Sequence, residues 1–365
     1  MNQIGILLLS LIFFHSANAA GRLQIVQSVP IETTLATTGV LQTQAAWLDL
    51  IHSAQKTIDL EEFYLSGKSG SRLDAVIESL KAAASRGVKI RILVDSKFYL
   101  NYSADANSLA KLPQVSLKTI DFSSTNGVMH AKYFVVDQQM GYLGSANFDW
   151  LALEHIHEIG LQFNDAGIAQ SLEAVFNQDW SAGVAHQAKQ SAAGFCASPA
   201  SLDPVGVSPT LPALVSLINS AKSSLQVQNY EYNTAVYHSP ERFKELDVAI
   251  RNSAARGVQV QLLVDQNALK AGSEDLKALS QLKNIQIKII RIPQWSGGPL
   301  AYARLAHSKY CLIDGAKAWI GSENWSAGYF NNSRNVGLMF EDAEPVKQLG
   351  QIYNQLWLSQ YASTF

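Results

Sequence analysis

Apolar runs alternate along this chain with helical stretches, and the alternation is ordered. "ILVD" ending at Asp95 and "LLVD" ending at Asp265 each follow an Ala-rich helical stretch and an Arg-Gly-Val turn, at Arg86 and Arg256. That order predicts helix, glycine cap, then buried strand. Further on, "VMHAKYFVVDQQMGYLGSAN" (Val128 to Asn147) and "LAHSKYCLIDGAKAWIGSEN" (Leu305 to Asn324) each read as two apolar strands. "HEIGLQF" and "RNVGLMF" follow them, and Trp180 closes one series as Trp357 closes the other.

The two series are one pattern repeated. Leu112 to Ile120 align with Leu282 to Ile290 at an offset of 170, and from the histidines onward the offset is 177, so the second half carries seven extra residues just before His307. The prediction is an α/β fold of two pseudo-symmetric lobes, residues 21–182 and 205–365, each a mixed sheet flanked by helices. Gly183 to Pro204, rich in Ala, Ser, Gly and Gln without a period, predicts a linker.

Composition narrows the function. With 47% hydrophobic and 16% charged residues over 365 positions, disorder is excluded. A formal charge of -2 without a long basic run lacks the footprint of a protein that grips long duplex nucleic acid. Any anion must be caught locally, by a few cations in a cleft. The apolar run Ile4 to Phe14 followed by Ala17-Asn18-Ala19 predicts a signal peptide over residues 1–19, cleaved near Ala19, and a secreted or periplasmic protein. The run is short for a membrane span, and an uncleaved anchor is the alternative. The only cysteines, Cys196 in the expected linker and Cys311 in a strand, exclude a disulfide scaffold, and Cys311 reads as a small buried hydrophobe.

The polar residues of the repeat carry the chemistry. His130, Lys132, Asp137, Gly144, Ser145 and Asn147 recur as His307, Lys309, Asp314, Gly321, Ser322 and Asn324, every pair 177 positions apart. Side chains two apart in a strand share a face, so His130 points with Lys132, and Ser145 with Asn147. If the strand ends of both lobes meet at a two-fold axis, eight such groups converge. Lysines then supply positive charge, Asn and Ser donate to nonbridging phosphate oxygens, and imidazole serves as nucleophile or acid. The lysines neutralise the charge that a metal would otherwise neutralise, so no metal or cofactor is expected. Asp137 and Asp314 belong to the catalytic motif as anchors of its strands. Identical spacing of six polar or glycine positions serves no packing purpose.

The two H-x-K-x4-D-x6-G-S-x-N copies resemble the phospholipase D superfamily over nearly the whole mature chain. More narrowly, "LGSANFDW" and "IGSENWSAGYF" look like the branch that contains the lysosomal single-strand exonucleases of vertebrates and the poxvirus envelope phospholipases. The resemblance implies a metal-independent site, a covalent phosphohistidine, and catalytic roles for His130, Lys132, Asn147, His307, Lys309 and Asn324. It also implies an acidic partner for each motif histidine, 28 positions downstream: Glu158 in the first half, replaced by Asn335 in the second. On that pairing His130, supported by Glu158, is the nucleophile and His307 the acid.

Other residues are secondary. His155 and His157 beside Glu158 lack further ligands nearby and read as supporting residues, not metal ligands. Glu61 and Glu62 read as the end of the first strand near the cleft. The insertion, in "RIPQWSGGPLAYARLAH", brings Trp295, Gly297, Gly298, Tyr302 and Arg304 to the approach of His307. Trp295 would stack on a base or sit at a lipid interface, and Arg304 would hold a second anion. The expected partner is a phosphodiester substrate, either a nucleic-acid end or a phospholipid met in transient membrane-surface contact, with no obligate protein partner. Three functions follow: a phosphodiesterase on single-stranded nucleic acid, a phospholipase D that hydrolyses or exchanges headgroups, or a noncatalytic envelope or surface protein. Two intact motifs argue against the third.

Overall fold

A computed structural model describes residues 22–181 and 191–365 of the chain, so the expected signal peptide lies outside the described residues. Two large mixed sheets form its frame. In the first, Thr57–Glu62, Lys89–Asp95 and Val115–Ile120 run parallel. Beside them Lys132–Val136, Met140–Gly144, Glu158–Asn164 and Leu23–Ser28 run antiparallel. The second sheet repeats the plan with Ser224–Asn229, Gln259–Asp265 and Ile285–Ile290 parallel, and Tyr310–Ile313, Lys317–Gly321, Asn335–Phe340 and Phe195–Ser198 antiparallel. Helices Arg72–Ser85 and Glu245–Ala255 make the crossovers that parallel neighbours require, while the motif strands are joined by tight turns.

Period-2 alternation decides which side each residue buries. Tyr133 and Val135 enter a central core between the sheets, whereas Phe134 and Val136 enter the outer core of the first lobe. Tyr310 and Leu312 likewise face the centre, and Cys311 and Ile313 the outer core of the second lobe. Helices Ala166–Trp180 and Ala343–Trp357 supply Leu172, Phe176, Leu349 and Leu356 to the central core, so both lobes share it.

The expected linker is shorter than its composition suggests. Phe195–Ser198 pairs with Asn335–Phe340 just as Leu23–Ser28 pairs with Glu158–Asn164, so the second lobe begins before Cys196, not at residue 205. Cys196 is accordingly a buried strand residue. Four residues, two of them small and one polar, show no period of their own; pairing and burial on both faces make this segment a strand.

Between the lobes the chain pairs crosswise. Met129 bridges Arg334, and at the pseudo-equivalent place Ala306 bridges His157. The His130 amide donates to the Arg334 carbonyl at 2.9 Å, and the His307 amide to the His157 carbonyl at 2.9 Å. Gly127 lies so close that an added Cβ would sit 2.0 Å from the Asn332 carbonyl oxygen. The Arg334 side chain, fully buried, is gripped by both Asp179 oxygens at 2.6 and 3.0 Å and by Asp203 at 2.8 Å. Asp179 closes a first-lobe helix, so this cluster ties the second lobe to the first.

Candidate active site

Each motif histidine lies just before a motif strand, on a segment held from behind by a carboxylate. Asp95 accepts the Met129 amide at 2.8 Å and Asp265 accepts the Ala306 amide at 2.8 Å, while both cap the helical turns that follow their own strands. Burial pushes Asp265 up to about 6. Neither residue was assigned a role from sequence, although both stand at the ends of the repeated "ILVD" and "LLVD", where the signal was available.

At the far end of each motif strand, Asp137 and Asp314 act as the anchors expected of them. Both adopt left-handed backbone, with φ of 52° and 54°, a conformation Asp tolerates. Asp137 accepts the amides of Gln55, Lys56 and Thr57 at 2.7 to 2.8 Å, and Asp314 those of Lys222, Ser223 and Ser224 at 2.7 to 3.2 Å. Burial alone would raise the Asp314 carboxyl and is the largest single influence on it, but the amides of Ser224, Ser223 and Lys222 and the Ser223 hydroxyl together hold it at about 2.

The partners of the histidines are crossed. His307 Nδ1 lies 2.8 Å from Glu158 Oε1, and His130 Nδ1 lies 2.9 Å from Asn335 Oδ1. Glu158 therefore serves the histidine of the opposite lobe, not His130. The crosswise pairing is the cause: Glu158 follows His157, which bridges Ala306 immediately before His307, and Asn335 follows Arg334, which bridges Met129 immediately before His130. Asn335 can only accept from the ring, because its Nδ2 donates to the carbonyls of Tyr329 at 2.8 Å and Ser333 at 3.3 Å. His130 thus carries its proton on Nδ1 and leaves Nε2 for chemistry.

The serines hold these partners in place. Ser145 donates to Glu158 Oε2 at 2.5 Å and Ser322 donates to Asn335 Oδ1 at 2.9 Å. Their expected role as phosphate donors is corrected accordingly, since a hydroxyl has a single proton and it is already committed. Asn147 and Asn324 are both buried with a side-chain oxygen that has no partner.

Lys132 and Lys309 sit two residues beyond the histidines, and each ammonium donates to the backbone carbonyl of its own lobe's histidine. Burial pulls Lys132 down to about 7, against the attraction of Glu62 and Glu158, and pulls Lys309 well below its usual value. Burial, then the lysines of both lobes, likewise hold His130 and His307 well below theirs. The Glu158 carboxyl is pushed up to about 7 by burial, against Lys309. The charges of one lobe thus act on the histidine of the other, which marks one shared site.

Arg304 is 6% exposed and spends Nε on the Pro293 carbonyl at 2.6 Å and one Nη on the Ile31 carbonyl at 2.8 Å, so it straps the insertion to the first lobe, while its other Nη is buried without a partner. Trp295, half-buried, packs edge-on against His155 at 5.1 Å, and the adjoining Ser296 bonds Glu32. Glu61 and Glu62 do end the first strand beside the site, and both are fully buried, Glu61 bonding Tyr133 at 2.5 Å and Glu62 lying opposite Lys132 in the sheet. The rings that do border the histidines were not singled out: Phe63 at 5.1 Å and Tyr329 at 4.8 Å from His130, and Tyr230 at 4.9 Å from His307.

Known proteins share this plan. A family model described as cardiolipin synthase, PLD-like domain, matches residues 47–180 and 214–357. Phospholipase D Z of Dictyostelium discoideum is 31% identical, over 96% of this chain and 92% of its own length. The Homo sapiens protein named 5'-3' exonuclease PLD4 is 29% identical, over 87% of this chain and 73% of its own. Among solved structures, phosphatidylserine synthase of Haemophilus influenzae superposes with a TM-score of 0.65 at 13% identity, covering 88% of this chain and 85% of that one, a likeness of fold.

Proposed function

Because the chain belongs to the phospholipase D-like domain family and is a phosphodiesterase of that superfamily, we propose that it hydrolyses single-stranded nucleic acid through a phosphohistidine formed on His307. The crossed contact of His307 with Glu158 carries the assignment of the nucleophile. A carboxylate on Nδ1 holds the tautomer with a free Nε2 and stabilises the positive charge that grows on the ring during attack. His130 has only a neutral amide, so as a cation it gives up its proton readily, which suits an acid. The criterion that favoured His130 from sequence favours His307 once the partners are known.

The anionic phosphodiester offsets the two lysines and favours the imidazolium of His130; in the first step His307 Nε2 then bonds to phosphorus, and the bond to the departing oxygen breaks as that oxygen takes the proton of His130 Nε2. A water molecule then gives a proton to His130 and attacks phosphorus, releasing His307. The phosphodiester brings the negative charge that favours the ammonium forms of Lys132 and Lys309 in their buried setting, and Asn147 and Asn324 offer carboxamides to its nonbridging oxygens. No step needs a metal.

Support for nucleic acid comes from the flat rings edging both histidines and from the relatives named as exonucleases. Bis(p-nitrophenyl) phosphate, short single-stranded DNA and phosphatidylcholine vesicles should be compared side by side in excess chelator. Cleavage of the aryl diester and the DNA is expected. Consumption of vesicles with DNA spared would make the protein a phospholipase, and loss of all activity in chelator would end the metal-free mechanism. We also propose export by cleavage near Ala19, which N-terminal mass analysis of the exported protein tests.

A further inference from the structure

The lobes differ most in what surrounds their histidines. From His130, rings continue outward in the first lobe: Phe63 meets Phe98 at 3.9 Å, Phe98 faces Tyr64 at 5.9 Å with planes 16° apart, and Tyr64 faces Tyr102 at 4.6 Å with planes 24° apart. All four are half-buried. None belongs to, or packs as a partly buried residue against, any of the three hydrophobic cores. Phe63 is tilted 44° from Phe98 and the rest of the row is near-parallel, and rings outside every core leave half-buried aromatic surface beside the site. At the end of the row Lys97 and Asn101 are exposed, and Leu100 is 81% exposed.

Among the described residues the second lobe has no such row. At the offset of 170, Phe98 corresponds to Ala268 and Tyr102 to Gly272. The space is taken by the lobe's own chain: a Cβ on Gly272 would fall 1.7 Å from the Tyr232 carbonyl oxygen, and Tyr232 is bridged to Trp325. A duplicated fold that fills this place in one lobe and lines it with half-buried rings in the other presents aromatic surface on one side only.

Resting on the nucleic-acid reading above, we propose that Phe63, Phe98, Tyr64 and Tyr102 form the subsite for bases of the departing strand. The row starts at His130, the ring that protonates the departing oxygen, so the fragment that leaves with a free hydroxyl lies along it, while the phosphoryl group stays on His307. Near-parallel rings accept any base by stacking, without reading its edge, and Lys97 at the exposed end meets the backbone phosphates. The track predicts that longer departing fragments bind better, up to the few nucleotides the row can hold.

The test compares kcat/KM on a single-stranded octamer with kcat/KM on bis(p-nitrophenyl) phosphate. Tyr102→Leu and Phe98→Leu should each lower the octamer-to-diester ratio about ten-fold, and Tyr102→Phe should restore it. With wild-type protein, abasic sites in the fragment released with the free hydroxyl should lower octamer cleavage by a similar factor, and should add nothing further in Tyr102→Leu. Abasic sites in the fragment that keeps the phosphate should have no such effect. An unchanged ratio, or an abasic effect confined to the phosphate-bearing fragment, overturns the track while leaving the nuclease reading intact. Wild-type protein that spares every oligonucleotide and consumes vesicles overturns both.

Discussion

The two half-sites share one motif and differ in where a carboxylate stands. His307 contacts Glu158, whereas His130 contacts Asn335. The lysines differ in the complementary sense, since Lys132 has Glu62 opposite it in the sheet, where the second lobe has Asn229 near Lys309. The histidine of one half-site thus contacts a carboxylate, and the lysine of the other faces one across the sheet. A duplicated fold can divide nucleophile from acid in this way without changing any residue of the repeated motif.

The largest effects should come from removing the rings themselves. His307→Ala should form no phosphoenzyme and lose roughly 10⁴-fold or more in turnover. His130→Ala should still be trapped as a phosphoenzyme from an aryl diester with a good leaving group, because that oxygen departs without help. Intact-mass analysis after rapid quenching distinguishes them, and a phosphoenzyme found only on His130 of the wild-type protein would reverse the roles.

Glu158→Gln removes the charge that separates the half-sites and should cost roughly 10²- to 10³-fold in kcat. It should also change the pH profile. Glu158 works as a carboxylate and burial raises it to about 7, so its contribution is lost as pH falls through that value. Lys132 works as an ammonium and burial lowers it to about 7, so its contribution is lost as pH rises through it. In Glu158→Gln the acidic limb of kcat/KM should move to lower pH, where protonation of the His307 nucleophile, held well below its usual value, sets it. An acidic limb that stays in place after the substitution would remove Glu158 from the mechanism.

Arg334 and His157 occupy equivalent positions but carry different loads. Arg334→Met leaves Asp179 and Asp203 buried without their cation and should cost about 3–5 kcal/mol of stability. His157 bonds Ser308 at 3.2 Å, and His157→Ala should cost about 1–3 kcal/mol. Urea unfolding measures both, and equal losses would contradict the proposed division. The smallest contrast lies in the serines: Ser145→Ala removes a hydrogen bond to Glu158 and should lower activity more than Ser322→Ala, which removes one to a neutral amide, with about 1 kcal/mol between them in transition-state stabilisation.

Much of this is legible in the sequence alone. The period of the strands, the glycine caps and the exact recurrence of six motif positions specify two similar mixed-sheet lobes with their histidines and lysines at strand ends. The role of Asp137 and Asp314 follows as well, because their odd spacing turns them away from the histidines. The strand Phe195–Ser198 was hidden because its four residues acquire a pattern only by pairing with Asn335–Phe340. The strap made by Arg304 was hidden because its charge says nothing about the carbonyls of Pro293 and Ile31 that bind it.

By itself the sequence determined the duplication and the motif with its paired histidines, lysines and asparagines, since local period and spacing are properties of consecutive residues. Only the tertiary structure decided which lobe's partner serves which histidine. A residue 28 positions after a histidine can face it or its twin equally well under a two-fold axis, and the crosswise bridges of His157 to Ala306 and of Arg334 to Met129 resolve that choice. Long-range pairing of this kind leaves no trace in local hydrophobic pattern, because it is set by how two finished sheets meet.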